Sequence, residues 1–299
     1  MPHPSPETLS LGTLNCQSGG FAEYRRDIPT PEREEPLLRT IRRLGTTALS
    51  LTDTFRWEEY YGGDEGIAHH LDYPFAEFTP LEDEQMIRTN EAAKEIGVVF
   101  ATQHTVFESS ALDLETRQAH RAIIDSAGTD VQVATVYLDH AYEDIRKKQL
   151  SALLAQLDVT LPTAIAGDFN MLRPWEMARL SEKFRKVMIS SATHLFTGLQ
   201  KVTPFSPSKS IKGLHRDVSE LNKRTALSTL LDKGFQDADY HQHPTAPAKF
   251  ARRGLGFGVD YIVTKDLEVS DVRIVPSEGA SDHNGIAARL LHPPKNFNR

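Results

Sequence analysis

The segment 131–170 constrains the fold more than any other part of the sequence. Residues 131–138 are an apolar, β-branched run, which favours a strand. The spacing of the leucines over 142–157 then predicts a helix with one apolar face. A second apolar run, 161–166, ends abruptly in Gly167-Asp168-Phe169-Asn170, where glycine permits a tight turn. Alternating strands and helices are typical of a layered α/β or α+β domain.

The same alternation continues on both sides of this segment. Further strands are predicted at 11–16, 48–51, 98–101, 259–263, 269–275 and 285–291, and helices at 37–44 and 82–95. Residues 57–80 hold six aromatic side chains among glycines and acidic residues, and we expect a loop there. That loop is either an aromatic wall of a pocket or, more simply, a surface excursion held by its own rings.

Composition sets the class of protein. The chain has 299 residues, of which 39% are hydrophobic and 25% are charged, as in an ordinary globular protein. A chain of this length buries a sizeable core, so a metal is not needed merely to hold the fold together. The apolar runs are far too short for a membrane helix. The lone Cys16 and the absence of a signal-like N-terminal stretch lead us to expect a cytoplasmic protein.

Charge is distributed unevenly along the chain. The formal net charge is −7, which opposes binding of nucleic acid through bulk charge alone. The stretch 173–224 is the exception, because it carries eleven Lys or Arg residues against four Asp or Glu, a local net charge of +7. This stretch is either a surface that faces an anionic partner such as nucleic acid or an ordinary solvated face.

Polar side chains recur where the predicted strands end. Each is typical of a turn or a helix cap when taken singly. Taken together they form an oxygen-rich set, which is the ligand chemistry that Mg²⁺ prefers, and a neighbouring His or Tyr can hold phosphoryl oxygens. The set comprises Asn15, Asp53, Asp168, Asn170, Asp260, and Asp282 beside His283.

The order of these motifs resembles the endonuclease/exonuclease/phosphatase superfamily, whose fold is named after deoxyribonuclease I. The resemblance runs from residue 11 to residue 291, and Gly167-Asp168-Phe169-Asn170 and Ser281-Asp282-His283 are its most specific parts. The other matching motifs are Leu14-Asn15, Leu51-Thr52-Asp53, Tyr137-Leu138-Asp139-His140 and Val259-Asp260-Tyr261-Ile262. The resemblance implies an α/β (α+β) four-layer sandwich, two packed mixed β-sheets flanked by helices, formed by residues 1–299 as a single domain.

The resemblance also implies a metal site and a water-activating group. Asn15 and Asp53 would belong to the Mg²⁺ site, and Asp282 would be a further carboxylate on the metal side. Asp168 would position or deprotonate the attacking water, and Asn170 would orient the phosphate or that water. Mn²⁺ is the expected substitute for Mg²⁺.

On the phosphate side the resemblance implies three further roles. His283 would stabilise the pentacoordinate phosphorus, and Asp260 would hold the imidazole as its hydrogen-bonded partner. Tyr137 would donate to a phosphate oxygen, since abasic-site endonucleases of the superfamily place Tyr at the corresponding position. His140 would have a minor supporting role at best.

Two positions depart from the commonest family pattern. The usual Leu-Gln-Glu is Leu51-Thr52-Asp53 here, so the metal carboxylate is shorter by one methylene. The usual Thr-His-Leu is Val136-Tyr137-Leu138. Mg²⁺ tolerates little error in ligand distance, so Asp53 either binds through a water or prefers another ion.

These observations lead to two hypotheses from different classes. The first is a divalent-metal-dependent phosphoesterase, with a nucleic acid or nucleotide phosphodiester placed ahead of a small phosphorylated metabolite or a lipid head group. The second is a catalytically impaired binding protein of the same fold, which Asp53 and the absence of His at position 137 motivate. The sequence leaves the natural substrate, the number of metals and the oligomeric state open.

Overall fold

A computed structural model describes residues 8–20, 31–83, 87, 94–140, 142–171, 225–239, 245–247 and 256–292. The described residues form fourteen strands, five α-helices and one short 3-10 helix, Ser18–Gly20. The strands are β1 Leu9–Asn15, β2 Ala48–Thr52, β3 Phe75–Pro80, β4 Gly97–Thr102, β5 Val106–Asp113, β6 Gln118–Ser126, β7 Thr129–Tyr137, β8 Thr163–Asp168, β9 Gln236–Asp237, β10 Ala246–Pro247, β11 Gly256–Phe257, β12 Asp260–Lys265, β13 Glu268–Val275 and β14 Gly285–Leu291. The helices are α1 Pro31–Leu44, α2 Trp57–Tyr61, α3 Asp64–Leu71, α4 Glu143–Gln156 and α5 Ala226–Leu231.

Two six-stranded mixed sheets contain most of the strands. The first has the order β13-β14-β1-β2-β4-β3, and the second has the order β5-β6-β7-β8-β12-β9. Each sheet holds one parallel pair, β1 with β2 and β7 with β8, and a helix connects the two strands of each pair. Because parallel neighbours end at the same edge of a sheet, the residues that follow them are brought together there.

The layer between the two sheets is apolar at one end and polar at the other. Leucine, isoleucine, valine and alanine side chains from both sheets fill its apolar part. Along single strands the inward face changes from apolar to polar: Leu9, Leu11, Thr13 and Asn15 in β1; Val131, Val133, Thr135 and Tyr137 in β7; Ala164, Ala166 and Asp168 in β8. Across the layer, the hydroxyls of Ser50 and Thr135 are hydrogen-bonded at 2.8 Å. The polar end of this layer is where the candidate site lies.

Helices cover the outer faces of both sheets. The apolar sides of α1 and α3 pack on the first sheet, in a cluster that includes Leu14 and the buried Cys16. The apolar sides of α4 and α5 pack on the second sheet, in a cluster that includes Val136 and Tyr261. The arrangement is helix, sheet, sheet, helix, which confirms the predicted four-layer sandwich.

Eight predicted strands and the helices at 37–44 and 142–157 are confirmed within a few residues. The prediction of a loop at 57–80 is wrong, because α2, α3 and β3 occupy it. Trp57 is fully buried and donates to Gly19 O at 2.9 Å, so the ring is part of the core rather than a pocket wall or a surface staple. The backbone of this short segment can reverse direction because Arg56 and Asp72 have positive φ and Gly62 is the C-cap of α2. The predicted helix at 82–95 lies mostly outside the described residues.

Two strands of the second sheet, β5 and β6, were not predicted from the sequence. They pair with each other, and consecutive polar residues interrupt the pattern of both, Glu108 to Ser110 in β5 and His120 with Arg121 in β6, so their apolar alternation is weak. Within the described ranges, no helix has both the length and the apolarity needed to cross a bilayer.

Candidate active site

Strand register places three polar side chains side by side. Tyr137, at the end of β7, pairs with Asp168 at the end of the parallel β8. Asp168 in turn pairs with Asp260, the first residue of the antiparallel β12. Residues that are directly paired in neighbouring strands point to the same face of a sheet. These three side chains therefore share the polar end of the layer between the sheets.

The last residues of β8 and the turn that follows have a backbone that few residue types permit. Gly167 has a φ of +143°, and a Cβ at this position would lie 1.9 Å from the carbonyl oxygen of Val136. Asn170 has a φ of +50°, and its backbone N–H donates to Asp168 Oδ1 at 2.7 Å. Its side-chain Nδ2 donates to Leu138 O at 3.0 Å. The Gly-Asp-Phe-Asn sequence thus aims Asp168 inward and ties the turn to the end of β7.

Asp168 is a buried carboxyl with a fixed orientation. Asn15 Nδ2 donates to its Oδ2 at 2.9 Å, which links the two sheets. Burial and the neighbouring charge of Asp260 raise the pKa of Asp168 to about 7. The charge of His283 and the hydrogen bonds from Asn15 and Asn170 act in the opposite direction and do not cancel the effect. A carboxyl with this pKa exchanges protons near neutrality.

His283 and Asp260 form an ion pair. His283 Nδ1 donates to Asp260 Oδ2 at 2.8 Å, and the Asp260 side chain is completely buried. Burial acts to lower the pKa of His283, but the charge and hydrogen bond of Asp260, together with the charges of Asp168 and Asp282, raise it to about 10. The imidazole is therefore protonated at both nitrogens at neutral pH, and its Nε2 is a donor.

Asp168, Asp260 and His283 lie close enough together to surround a divalent cation, and the two carboxylates are the groups that could ligate it while His283 is protonated. One ligand atom from each lies within 4.8 Å of the others, and in the described part of the chain this is the one such cluster of three or more His, Cys, Asp or Glu residues. Asp260 Oδ1 is buried and has no hydrogen-bond partner among the described residues. A buried carboxylate oxygen without a partner is costly unless a cation or water occupies the space beside it. The hydroxyls of Thr13, in the strand that carries Asn15, and of Thr52, directly before Asp53, are also buried and have no partner in the described part of the chain.

Asn15, which the resemblance assigns to the metal, contacts this cluster through Asp168, and Asp53 follows the neighbouring strand β2. Asn15 pairs with Thr52 across β1 and β2, so Asp53 follows directly at the same sheet edge. Asp53 has a φ of +55°, and its Oδ2 accepts from Ser18 N at 3.0 Å. Both Asn15 and Asp53 are buried. Asp53 lies outside the compact three-residue cluster.

Asp282 occupies the outer edge of the site. Its side chain is 45% exposed, and its Oδ1 lies 3.8 Å from His283 Nε2. Its backbone N–H donates to Gln17 Oε1 at 3.1 Å.

The exposed His140 follows Asp139, shortly after the end of β7. The basic stretch 173–224 lies outside the described residues.

Three residues that the sequence did not single out hold the site together. Thr245 Oγ1 accepts from Asp260 N at 3.1 Å, and Thr245 O accepts from Asn284 N at 2.5 Å. Ser281 Oγ donates to Asn15 O at 2.7 Å and accepts from the N–H of His283 at 3.0 Å.

The third of these residues is Gln17. Its Oε1 accepts from both Asp282 N and Arg33 Nη2, and its own N–H donates to Asn15 Oδ1 at 2.8 Å. The sequence carries a signal only for Ser281, which belongs to the Ser-Asp-His motif, because the other contacts depend on tertiary packing.

Comparison with known proteins identifies the fold. No family model matches the chain, and no curated protein matches its sequence. Solved structures do match. An endonuclease/exonuclease/phosphatase from Beutenbergia cavernae superposes with a TM-score of 0.62 over 95% of this chain and 71% of the other, at 18% identity. The chain has the endonuclease/exonuclease/phosphatase fold.

Two further solved structures with this endonuclease/exonuclease/phosphatase fold superpose on the chain. A functionally unknown protein from Enterococcus faecalis superposes with a TM-score of 0.64 at 14% identity, over 95% of this chain and 100% of that one. A mannosyl-6-phosphatase from Bacteroides thetaiotaomicron superposes with a TM-score of 0.58 at 11% identity, over 95% and 100%. The resemblance found in the sequence is confirmed at the level of the endonuclease/exonuclease/phosphatase fold.

Proposed function

We propose that this chain is a divalent-metal-dependent phosphoesterase that hydrolyses a phosphodiester in nucleic acid or a nucleotide. The observation that carries the proposal is the convergence of Asp168, Asp260 and His283 within 4.8 Å, with one buried Asp260 oxygen that has no partner among the described residues. This group lies at one end of the layer between two sheets whose fold is that of endonuclease/exonuclease/phosphatase proteins. Carboxylates and an imidazolium in one pocket are the groups that phosphoryl transfer needs.

Oxygen ligands for Mg²⁺ or Mn²⁺ surround the pocket. Asn15 and Asp53 at the end of the first sheet would hold the cation together with the Asp168–Asp260 pair, and Asp282 would add a carboxylate from the outer edge. The bound cation would neutralise charge on the phosphoryl oxygens.

Asp168 and Asn170 act on the water. Asp168, whose orientation is held by Asn15, would accept a proton from the attacking water. The Asn170 amide is fixed by its Nδ2 bond to Leu138 O. Its Oδ1 is then directed away from that carbonyl and can orient the water or the phosphate.

His283 and Tyr137 act on the phosphate. The doubly protonated His283 keeps Nδ1 on Asp260 and offers Nε2–H to a phosphoryl oxygen. Tyr137 is in register with Asp168, so its hydroxyl is a second donor on the same face. Fixed donors aimed at developing negative charge lower the barrier because they need no reorganisation during the reaction.

The choice of a phosphodiester in nucleic acid rests on the sequence. The stretch 173–224 carries a local net charge of +7 in a chain whose net charge is −7, and this basic segment would steer a polyanion. Tyr137 is the residue type that abasic-site endonucleases of the superfamily have at this position.

A small phosphomonoester is the second candidate. A neighbour with the same fold is a mannosyl-6-phosphatase, and the net charge of −7 is unfavourable for bulk binding of nucleic acid. The same residues would serve a monoester, since the groups that contact the phosphorus centre are shared between the two reactions. A binding protein that retains the fold without turnover is the remaining alternative.

Three substrates separate these functions: plasmid DNA, bis(p-nitrophenyl) phosphate and p-nitrophenyl phosphate, each with Mg²⁺, Mn²⁺ and chelator. We expect hydrolysis of the diesters that requires the cation and is lost in Asp168→Ala and His283→Ala. Asp158→Asn is the matched control. Asp158 is an exposed carboxylate that precedes β8, far from the end of that strand at which Asp168 lies. Equal behaviour of wild type and both site variants would reject the enzyme, and turnover of the monoester alone would select the second candidate.

A further inference from the structure

A buried arginine lies beside the site and has no assigned role. Arg117 immediately precedes β6, and its side chain is 1% exposed. Its Nε donates to Asp83 Oδ2 at 2.7 Å, and its Nη2 lies 4.0 Å from Asp139 Oδ2. A guanidinium buried between two carboxylates has its charge compensated inside the protein, so Arg117 is not placed to bind a phosphate itself.

The rest of the Arg117 guanidinium is directed at the end of β7. Nη1 donates to Tyr137 O at 3.1 Å and to Leu138 O at 2.6 Å. Its Cζ lies 5.1 Å from the centre of the Tyr137 ring, which is cation–π geometry. Arg117 therefore contacts both the backbone and the ring of Tyr137.

The same contact reaches the turn after β8. Leu138 O accepts from Arg117 Nη1 and from Asn170 Nδ2 at 3.0 Å. Leu138 N also donates to Asp168 O at 2.9 Å. One carbonyl thus joins the arginine to the residue that the proposed function places next to the water.

We propose that Arg117, anchored by Asp83, is a positioning residue that sets the Tyr137 ring and the Asn170 amide for phosphoester hydrolysis. The proposal deepens the proposed function and rests on it. Lysine would keep the charge, but its ammonium group is a single point donor. It cannot contact Asp83, two successive carbonyls and the face of an aromatic ring at once, as the planar guanidinium does. Loss of the guanidinium should therefore misplace Tyr137 and Asn170 even when the charge is retained.

Kinetics of Arg117→Lys on bis(p-nitrophenyl) phosphate test the proposal. We expect kcat to fall about tenfold or more while KM and the cation midpoint each stay within about threefold, because positioning acts on the transition state. Arg121→Lys is the matched control, since Arg121 lies in β6 and pairs with the exposed Glu108. If Arg117→Lys does not fold, Asp83→Glu replaces it in the test, because this variant keeps both charges and displaces the guanidinium. We expect the same fall in kcat, with KM and the cation midpoint again within about threefold.

A double-mutant cycle separates positioning from general stability. In the background of Tyr137→Phe with Asn170→Ala, Arg117→Lys should change kcat by less than about twofold, because the groups through which it acts are gone. If Arg117→Lys lowers kcat as much in that background as in the wild type, or if Arg117→Lys alone has the wild-type kcat, the proposal is overturned.

A readout without turnover keeps the test independent of the proposed function. The fluorine resonance of 3-fluorotyrosine at position 137, identified through Tyr137→Phe, should shift and broaden in Arg117→Lys and remain unchanged in Arg121→Lys. An unchanged resonance overturns the positioning role whether or not the protein hydrolyses phosphoesters. Absence of hydrolysis in the wild type rejects the proposed function instead, and the resonance alone then decides whether Arg117 sets Tyr137.

Discussion

Asp168 and Asp260 are directly paired across two antiparallel strands, and their carboxyl groups share one buried pocket. Two adjacent carboxylates repel each other, and this repulsion adds to burial in raising the pKa of Asp168. His283 donates to Asp260 and supplies the compensating positive charge. The three groups therefore form one electrostatic unit, in which a change at any member alters the protonation of the others.

Removal of the Asp260 charge should release the proton of His283. In the metal-free protein we expect the His283 ring to remain protonated at pH 8 and its pKa, about 10 in the wild type, to fall toward the ordinary 6.5 in Asp260→Asn. The pKa falls because the variant loses both the negative charge and the charged acceptor of Nδ1. Nuclear magnetic resonance titration of the ring nitrogens measures it. Asp282→Asn should lower the value less, and an equal effect of the two variants would contradict the pairing.

Binding of Mn²⁺ should stabilise the folded chain through the same carboxylates. At a concentration of about one hundred times the dissociation constant, the gain in the free energy of unfolding is about 2.7 kcal/mol. Urea unfolding with Mn²⁺ or with chelator measures this gain, which we expect to be largely lost in Asp260→Asn and retained in Asp158→Asn. A full gain in Asp260→Asn would place the cation elsewhere.

Lengthening Asp53 should impair the site. Asp53 is buried, has a positive φ, and accepts from Ser18 N, so an additional methylene would break this bond and crowd the pocket. We expect Asp53→Glu to lose about 1–3 kcal/mol of stability and to need more Mg²⁺ for the same activity. Asp53→Asn keeps the length and removes the charge, which separates the two effects. Tighter Mg²⁺ binding in Asp53→Glu would show instead that the shorter side chain is a handicap.

Gly167 should not tolerate a side chain. An alanine Cβ would lie 1.9 Å from Val136 O at a φ of +143°, so we expect Gly167→Ala to lose more than about 3 kcal/mol or fail to fold. Gly128 also has a positive φ, but a Cβ there meets no atom of the described residues within 4 Å. Gly128→Ala should cost only about 1 kcal/mol. Equal urea midpoints for the two variants would contradict the steric explanation.

His120 should make stability fall as the solution is acidified. Burial lowers its pKa to about 4, and its ring is hydrogen-bonded to Thr79 and Ser109 and stacked on Phe100. Between pH 6.5 and 4 the unfolded chain binds this proton and the folded chain does not. Stability is therefore lost as pH falls through that window, by about 2 kcal/mol at pH 5 relative to pH 7.5.

The His120 contribution is isolated by comparison with His120→Gln. The free energy of unfolding, measured in urea at pH 7.5 and pH 5, should fall less in this variant than in the wild type. The exposed His140 provides the control, because His140→Gln should leave the pH dependence unchanged. A wild-type pH dependence in His120→Gln would show that other groups cause the acid destabilisation.

The sequence predicted elements best where their residues are strongly patterned. The buried runs that became β7 and β8 and the leucine face of α4 needed only local periodicity. Segment 57–80 was mistaken for a loop because Gly62, Gly63 and Asp72 punctuate it, whereas in the structure they cap two short helices. Strands β5 and β6 were missed because partner strands, rather than intrinsic pattern, hold them in the sheet.

The residue types at the strand ends, their order along the chain and the glycine turn before Asp168 were determined by the sequence alone, because propensity, turn chemistry and motif spacing are local properties. Only the tertiary structure decided which of these groups meet. Asn15 contacts Asp168 across 153 positions, and His283 reaches Asp260 through a loop held by Thr245 and Ser281. Distances of a few ångströms between such distant residues follow from strand register and from the packing of one sheet on the other, and no local pattern encodes them.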